Sequence, residues 1–218
     1  PDFEKLKKDK IAVKVPLFKV FRDHPRETLT IIGARTAENA WFYMSVTFAL
    51  AYAANQLQIP RADVLGAITA GAALSLVTMP LCGHISDRVG QKRLYFVGLL
   101  LLCAFVYPFF AMLGTRDPVL VWWAMVLAVG VVFPILYAPE SLLFARQFPA
   151  EIRYSGISVS VQLAGVLGGG FAPMIATQLL AMGGGNPHYV IVYLIGMALI
   201  ALVCTALMKR DPARHHAG

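Results

Sequence analysis

Gly83-His84-Ile85-Ser86-Asp87-Arg88-Val89-Gly90-Gln91-Lys92-Arg93 is a charged island between two apolar runs. Residues 64–82 and 94–114 on either side carry no charge. At 1.5 Å per helical residue each run is long enough to cross a hydrocarbon core of ~30 Å. A turn this polar does not lie in hydrocarbon, so the island marks where the chain leaves and re-enters a membrane.

Composition agrees. Hydrophobic residues make up 58% of the 218 and charged residues 14%, against roughly 45–50% and about 25% in soluble domains. A large soluble core would instead show shorter, amphipathic helices with one polar face. Six apolar spans are predicted, over residues 29–56, 64–82, 94–114, 119–144, 154–182 and 189–208. Short connections with turn chemistry join several of them, as at Ile59-Pro60-Arg61, Thr115-Arg116-Asp117-Pro118 and Gly183-Gly184-Gly185-Asn186-Pro187.

The net charge of +7 is topological. Lys5, Lys7, Lys8, Lys10, Lys14, Lys19, Arg22 and Arg26 precede the first span, and the island, the 146–153 connection and the tail hold most of the others. Sixteen Lys and Arg fall on one side and only Arg61 and Arg116 on the other, which puts both ends of the piece in the cytoplasm. No base-stacking or nucleic-acid-binding motif accompanies the charge. Residues 1–28 read as a cytoplasmic segment, either a solvated linker or a surface helix between Pro16 and Pro25. Residues 29–208 read as a six-helix transmembrane bundle, and 209–218 as a cytoplasmic tail. The chain opens on Pro1 in a hydrophilic stretch, as a piece of a longer protein would. Cys82, Cys103 and Cys204 lie singly in apolar runs and read as small hydrophobes. No metal or cofactor site is expected.

The pattern Gly-x-x-x-Asp-Arg-x-Gly-x-Lys-Arg, carried by Gly83, Asp87, Arg88, Gly90, Lys92 and Arg93, resembles the cytoplasmic loop signature of the major facilitator superfamily. Gln91 stands at a position that is commonly basic there. Arg35-x-x-Glu38-Asn39 with Tyr43, and Phe148-Pro149-x-Glu151-Ile152-Arg153-Tyr154-Ser155-Gly156 leading to Gln162 and Gly168-Gly169-Gly170-x-x-Pro173, resemble its metabolite:proton symporter family. That family carries shikimate, proline and betaine, α-ketoglutarate and citrate. The resemblance implies an all-α membrane protein whose six helices form the C-terminal half of a twelve-helix fold. It implies secondary transport in the plasma (inner) membrane, with a small-molecule substrate, a proton, the lipid bilayer and an N-terminal six-helix half as partners.

Physical chemistry assigns the island a structural part. Gly83 and Gly90 permit close helix approach and a tight turn. Asp87 suits a helix N-terminal end, and Arg88 can pair bidentately with a carboxylate. Contacts of this kind, made in one transport state and broken in the other, form a latch; the plainer expectation is a solvated turn.

A charge within a span is costly and faces a cavity or a partner. Arg35 and Glu38, at i and i+3, are the main such pair. Arg35, Asn39, Tyr43 and Val46 follow one line at helical spacing, and Glu38, Ser45 and Tyr52 an adjacent one, a polar stripe suited to a cavity wall. Arg35 is expected to meet an anionic group of substrate and Glu38 to take the proton; a permanent Arg35–Glu38 packing bridge is the simpler possibility. Glu140, near the end of the fourth span, is expected by the family architecture to pair with Arg88 or Arg93 as part of the latch, with proton carriage as the alternative. Gly165 and Gly169 have the small-xxx-small spacing of a close helix contact, and Pro173 is expected to kink the helix. Gln162 is placed to bond substrate or a neighbouring helix. An exporter of the same superfamily, or a six-helix scaffold, are the competing classes. An enzyme would need a nucleophile–base pair or a metal cluster, and no such motif occurs.

Overall fold

The structure, a computed structural model, describes residues 21–209. The expectation of a surface helix between Pro16 and Pro25 falls mainly outside the described residues, as does the tail with His215-His216. Every regular element among the described residues is helical. Six long helices occupy the six expected places: α1 over 25–55, α2 Arg61–Val89, α3 Gln91–Gly114, α4 Pro118–Ala145, α5 Arg153–Met182 and α6 His188–Leu207. Helices α2 to α6 are long and apolar enough to cross a membrane by length and composition. Helix α1 is the exception, because its inward face is polar: Thr28, Thr30, Thr36, Glu38 and Ser45 are all buried.

The island differs from the expected loop. Helix α2 runs straight through Gly83, Asp87 and Arg88 to Val89, and α3 begins at Gln91. The turn is Gly90 alone, at φ 105°, a region that only glycine enters without strain. Gly83 makes no close helix approach; a Cβ there would meet nothing within 4 Å.

Helix α1 packs on α6 and α5, α3 on α6 and α4, and α2 on α4. Phe105 and Phe109 pack edge-to-face on the fully buried Trp41, and Phe110, Tyr52 and Phe48 continue the cluster through further edge-to-face and stacked pairs, an arrangement favoured by the ring quadrupoles. Tyr52 thus belongs to the packed core, not to a cavity wall. Glu38 and Ser45, on the same line of α1, are buried as well, so the second polar line of α1 faces inward.

Three helices carry a π-helical turn: Met44–Phe48 in α1, Ala128–Val132 in α4 and Gly165–Gly170 in α5. The wider turn loosens backbone carbonyls from their usual partners. In α4 two of these are bonded by other helices, Ala128 O by Trp41 Nε1 at 3.3 Å and Gly130 O by Thr78 Oγ1 at 2.6 Å. Gly71 and Gly130 let α2 and α4 cross closely: a Cβ on Gly71 would lie 3.0 Å from Val129, and one on Gly130 2.8 Å from Leu74. In α5 the π turn shifts the register. Gly168 meets the Thr36 backbone and Gly169 the Tyr43 ring, whereas Gly165 faces open space. The close contact expected of the Gly165–Gly169 pair is therefore made by Gly168 and Gly169. Pro173 follows a bend at Phe171, in the first turn of the resumed α-helix.

Candidate functional site

Helices α1, α2, α4 and α5 surround an open cavity of about 630 Å³. Helix α2 contributes Ser75, Met79 and Gly83, and α5 contributes Ile157 and Val161. Among the described residues Arg35 from α1 is the one cation on its wall, with Tyr137 and Glu140 from α4 beside it.

Arg35 holds two carboxylates. Its Nη1 donates to Glu140 Oε2 across the α1–α4 contact and lies 3.8 Å from Glu38 Oε2 on its own helix. The guanidinium sits 5.8 Å from the centroid of the Tyr137 ring, within reach of a cation–π attraction. Tyr95, fully buried on α3, has its hydroxyl 3.2 Å from Glu140 Oε1 and 2.9 Å from Ala34 O, so its one proton serves either acceptor. Glu38 and Glu140 are each 2% exposed, and such burial is tolerable for a charge only when it is paired. Glu38 Oε2 and Arg35 Nε are buried without a hydrogen-bond partner.

Glu140 therefore does not pair with the island. Arg88 and Arg93 are exposed, while the side chain of Glu140 points inward to α1 and α3. The island has bonds of its own. Gln91, at the position where the family pattern is commonly basic, is buried; it donates to Asp87 Oδ1 at 3.1 Å and accepts from Arg146 Nη1 at 2.6 Å. One neutral amide thereby links the end of α2, the start of α3 and the end of α4. Lys92 Nζ donates to the carbonyls of Ala206 and Met208, at 2.9 and 2.6 Å, capping the last turn of α6. Nearby, Lys209 Nζ pairs with Glu27 at 3.1 Å and donates to Gln147 O at 2.9 Å.

Of the residues singled out in the sequence, Arg35, Glu140 and Gly83 line the cavity and Glu38 lies behind Arg35. Asn39, Tyr43 and Gln162 do not line it. The Asn39 amide donates to Arg35 O at 3.3 Å, the Tyr43 ring packs on Gly169, and Gln162 is exposed on α5. Sequence reasoning missed Tyr95 and Tyr137. Each sits in an apolar run where a tyrosine reads as filler, and no spacing signal marks it. Phe148 and Gly156, from the second family motif, pack together: a Cβ on Gly156 would lie 2.8 Å from the Phe148 ring. Among the described residues no group of three or more His, Cys, Asp or Glu could hold a metal ion.

This helical architecture, with a charged cluster on a cavity wall between apolar helices, is that of a multi-pass membrane transporter fold. The family model of the Major Facilitator Superfamily matches residues 32–218, and the chain belongs to that family, one of transporters and not of enzymes. The chain is similar to the Shikimate transporter of Escherichia coli (strain K12), at 31% identity over 98% of this chain and 49% of the transporter. It is 31% identical to the Inner membrane metabolite transport protein YhjE of the same organism, over 94% of this chain and 48% of that protein. The Citrate-proton symporter of Klebsiella pneumoniae is 25% identical over 79% of this chain and 38% of its own length. The chain thus spans about half the length of the curated relatives it matches. No solved structure gives a significant match.

Proposed function

We propose that this chain is the C-terminal half of a proton-coupled secondary transporter for a small carboxylate metabolite, working by alternating access in the inner membrane with both ends of the segment cytoplasmic. The observation that carries this reading is the buried Arg35–Glu38–Glu140 cluster on the wall of the cavity. A cation at that place attracts an anionic cargo group. Glu38, buried beside the same cation, binds a proton more readily once an anionic cargo adds its charge to the cluster. The named relatives supply the cargo chemistry: shikimate and citrate are carboxylates. Transporters of this class bind at the interface between two halves and rock one against the other. One half offers one wall, so the 218-residue segment alone is not expected to transport. The exposed Asp87, Arg88 and Arg93 suit the proposed latch toward the other half.

The test is uptake by the full-length protein in proteoliposomes, with shikimate, α-ketoglutarate, citrate and proline as cargo and an inward proton gradient as drive. Accumulation of one of the carboxylates that collapses with the gradient is expected. Gradient-independent uptake would remove the proton from the mechanism.

A further inference from the structure

The seat on Arg35 is not vacant. Glu140 fills it, although this carboxylate belongs to a different helix and lines the same cavity as any cargo. The fork of Arg35 has five N–H donors. Glu140 engages Nη1, while Nε is left buried and unbonded. An arginine built only to tie α1 to α4 would be expected to meet its carboxylate with both edges of the fork, since bidentate pairing is the stronger arrangement. Tyr95 adds a second feature. Its hydroxyl lies within reach of both Glu140 Oε1 and Ala34 O, so it can follow Glu140 away from Arg35 or return to the backbone without leaving a buried group unbonded.

We propose that Glu140 is a resident stand-in for the cargo carboxylate: it occupies the anion seat on Arg35 when the site is empty, and cargo binds by displacing it onto the Tyr95 hydroxyl. This deepens the carboxylate-transport reading and rests on it. Cargo brings one further negative charge into the cluster, and the proton that Glu38 takes up in the proposed symport offsets it. The Tyr137 ring lies under the guanidinium carbon, its centroid 5.8 Å from it, on the same cavity wall. The cargo class follows from the exchange: a molecule whose recognised group is a single planar carboxylate, with an apolar or hydroxylated body lying against Ser75, Met79 and Ile157.

A displaced competitor leaves a signature that a packing residue does not. In the full-length protein, Glu140→Gln removes the competing charge and is expected to tighten carboxylate binding about tenfold, the order set by one charge-assisted hydrogen bond. Glu140→Asp withdraws the carboxylate by one methylene and is expected to gain less. Binding is measured by titration in detergent with shikimate, α-ketoglutarate, citrate and proline, and with the methyl ester of shikimate as the neutral control, whose binding neither variant should improve. Unchanged or weaker binding in both variants, with a panel that binds wild type, overturns the stand-in role and leaves the cargo class intact. If Glu140→Gln does not fold, Glu140→Asp decides alone by the same comparison. Failure of every carboxylate to bind any of the three proteins overturns the cargo class, and the stand-in role with it.

Discussion

Arg35 and Glu140, 105 residues apart, form an ion pair that ties α1 to α4 at the wall of the cavity. The pair is also the point where three helices meet, because Tyr95 of α3 lies against the same carboxylate. Glu38 stands on the other side of the guanidinium. One cation thus answers for two buried carboxylates, and each prediction about the site follows from that ratio.

Glu38→Gln removes the carboxylate that has no hydrogen-bond partner at Oε2 and keeps its shape. The full-length variant is expected to lose accumulation driven by a proton gradient while retaining exchange of internal for external cargo. Counterflow and gradient-driven uptake, measured on the same vesicles, separate the two. Intact gradient-driven accumulation in this variant would assign the proton elsewhere.

Arg35→Met leaves Glu38 and Glu140 buried without their cation. Removing one partner of a buried pair costs about 3–5 kcal/mol, and the 16% exposure of the Arg35 side chain favours the lower end. Adding Glu140→Gln to Arg35→Met is expected to restore part of the loss, since one of the stranded charges is then gone. Chemical unfolding of the single and double variants in detergent gives the coupling; strictly additive effects would mean that the two side chains do not interact.

Two glycines of the island should respond with opposite signs. Gly90→Ala forces a side chain into φ 105° and is expected to cost about 1–3 kcal/mol. Gly83→Ala adds a methyl that meets nothing within 4 Å in mid-helix, where alanine is favoured over glycine by roughly 0.5–1 kcal/mol. In α5, Gly168→Ala and Gly169→Ala are expected to destabilise through collision with Thr36 and Tyr43, and Gly165→Ala to be tolerated. Thermal unfolding of the five variants checks the order.

The places of the six helices were legible because apolar run length is a local property, as was the likelihood that Arg35 and Glu38 meet at i, i+3. Their partner was not. Spacing along α1 says which residues share a face, and nothing about which helix lies against it, and the family architecture that places the fourth span beside the island pointed Glu140 to Arg88 or Arg93 instead. The π turn in α5 is a second reason. Small-xxx-small spacing assumes about 3.6 residues per turn, and the wider turn over Gly165–Gly170 moves the contact from Gly165 to Gly168. Gln91 is a third case: its position is commonly basic in the pattern, but its amide both donates to Asp87 and accepts from Arg146, which a lysine or arginine does not do.

Glu27 gives the pH dependence a definite sign. It lies ahead of the apolar span, partly buried, 3.1 Å from Lys209 Nζ and 4.0 Å from His24 Nδ1. Burial pushes its carboxyl up, but a backbone hydrogen bond, Lys209 and His24 together outweigh that and hold it below its ordinary value. A carboxylate with a lowered folded-state value contributes stability that is complete above the unfolded carboxylate range and is lost as pH falls through the folded value. Because Lys209 is largely exposed, solvent and salt screen the pair, and its contribution is at most about 1 kcal/mol. Glu27→Gln is therefore expected to lower the unfolding temperature slightly at neutral pH, with wild-type and variant curves converging in acid and in high salt. The contact closes the bundle where α1 begins and the chain leaves α6, since Lys209 also bonds Gln147 O after α4. Lys209→Ala should thus exceed Glu27→Gln in effect, and a pH-independent gap between Glu27→Gln and wild type would show that Glu27 acts by packing and not by charge.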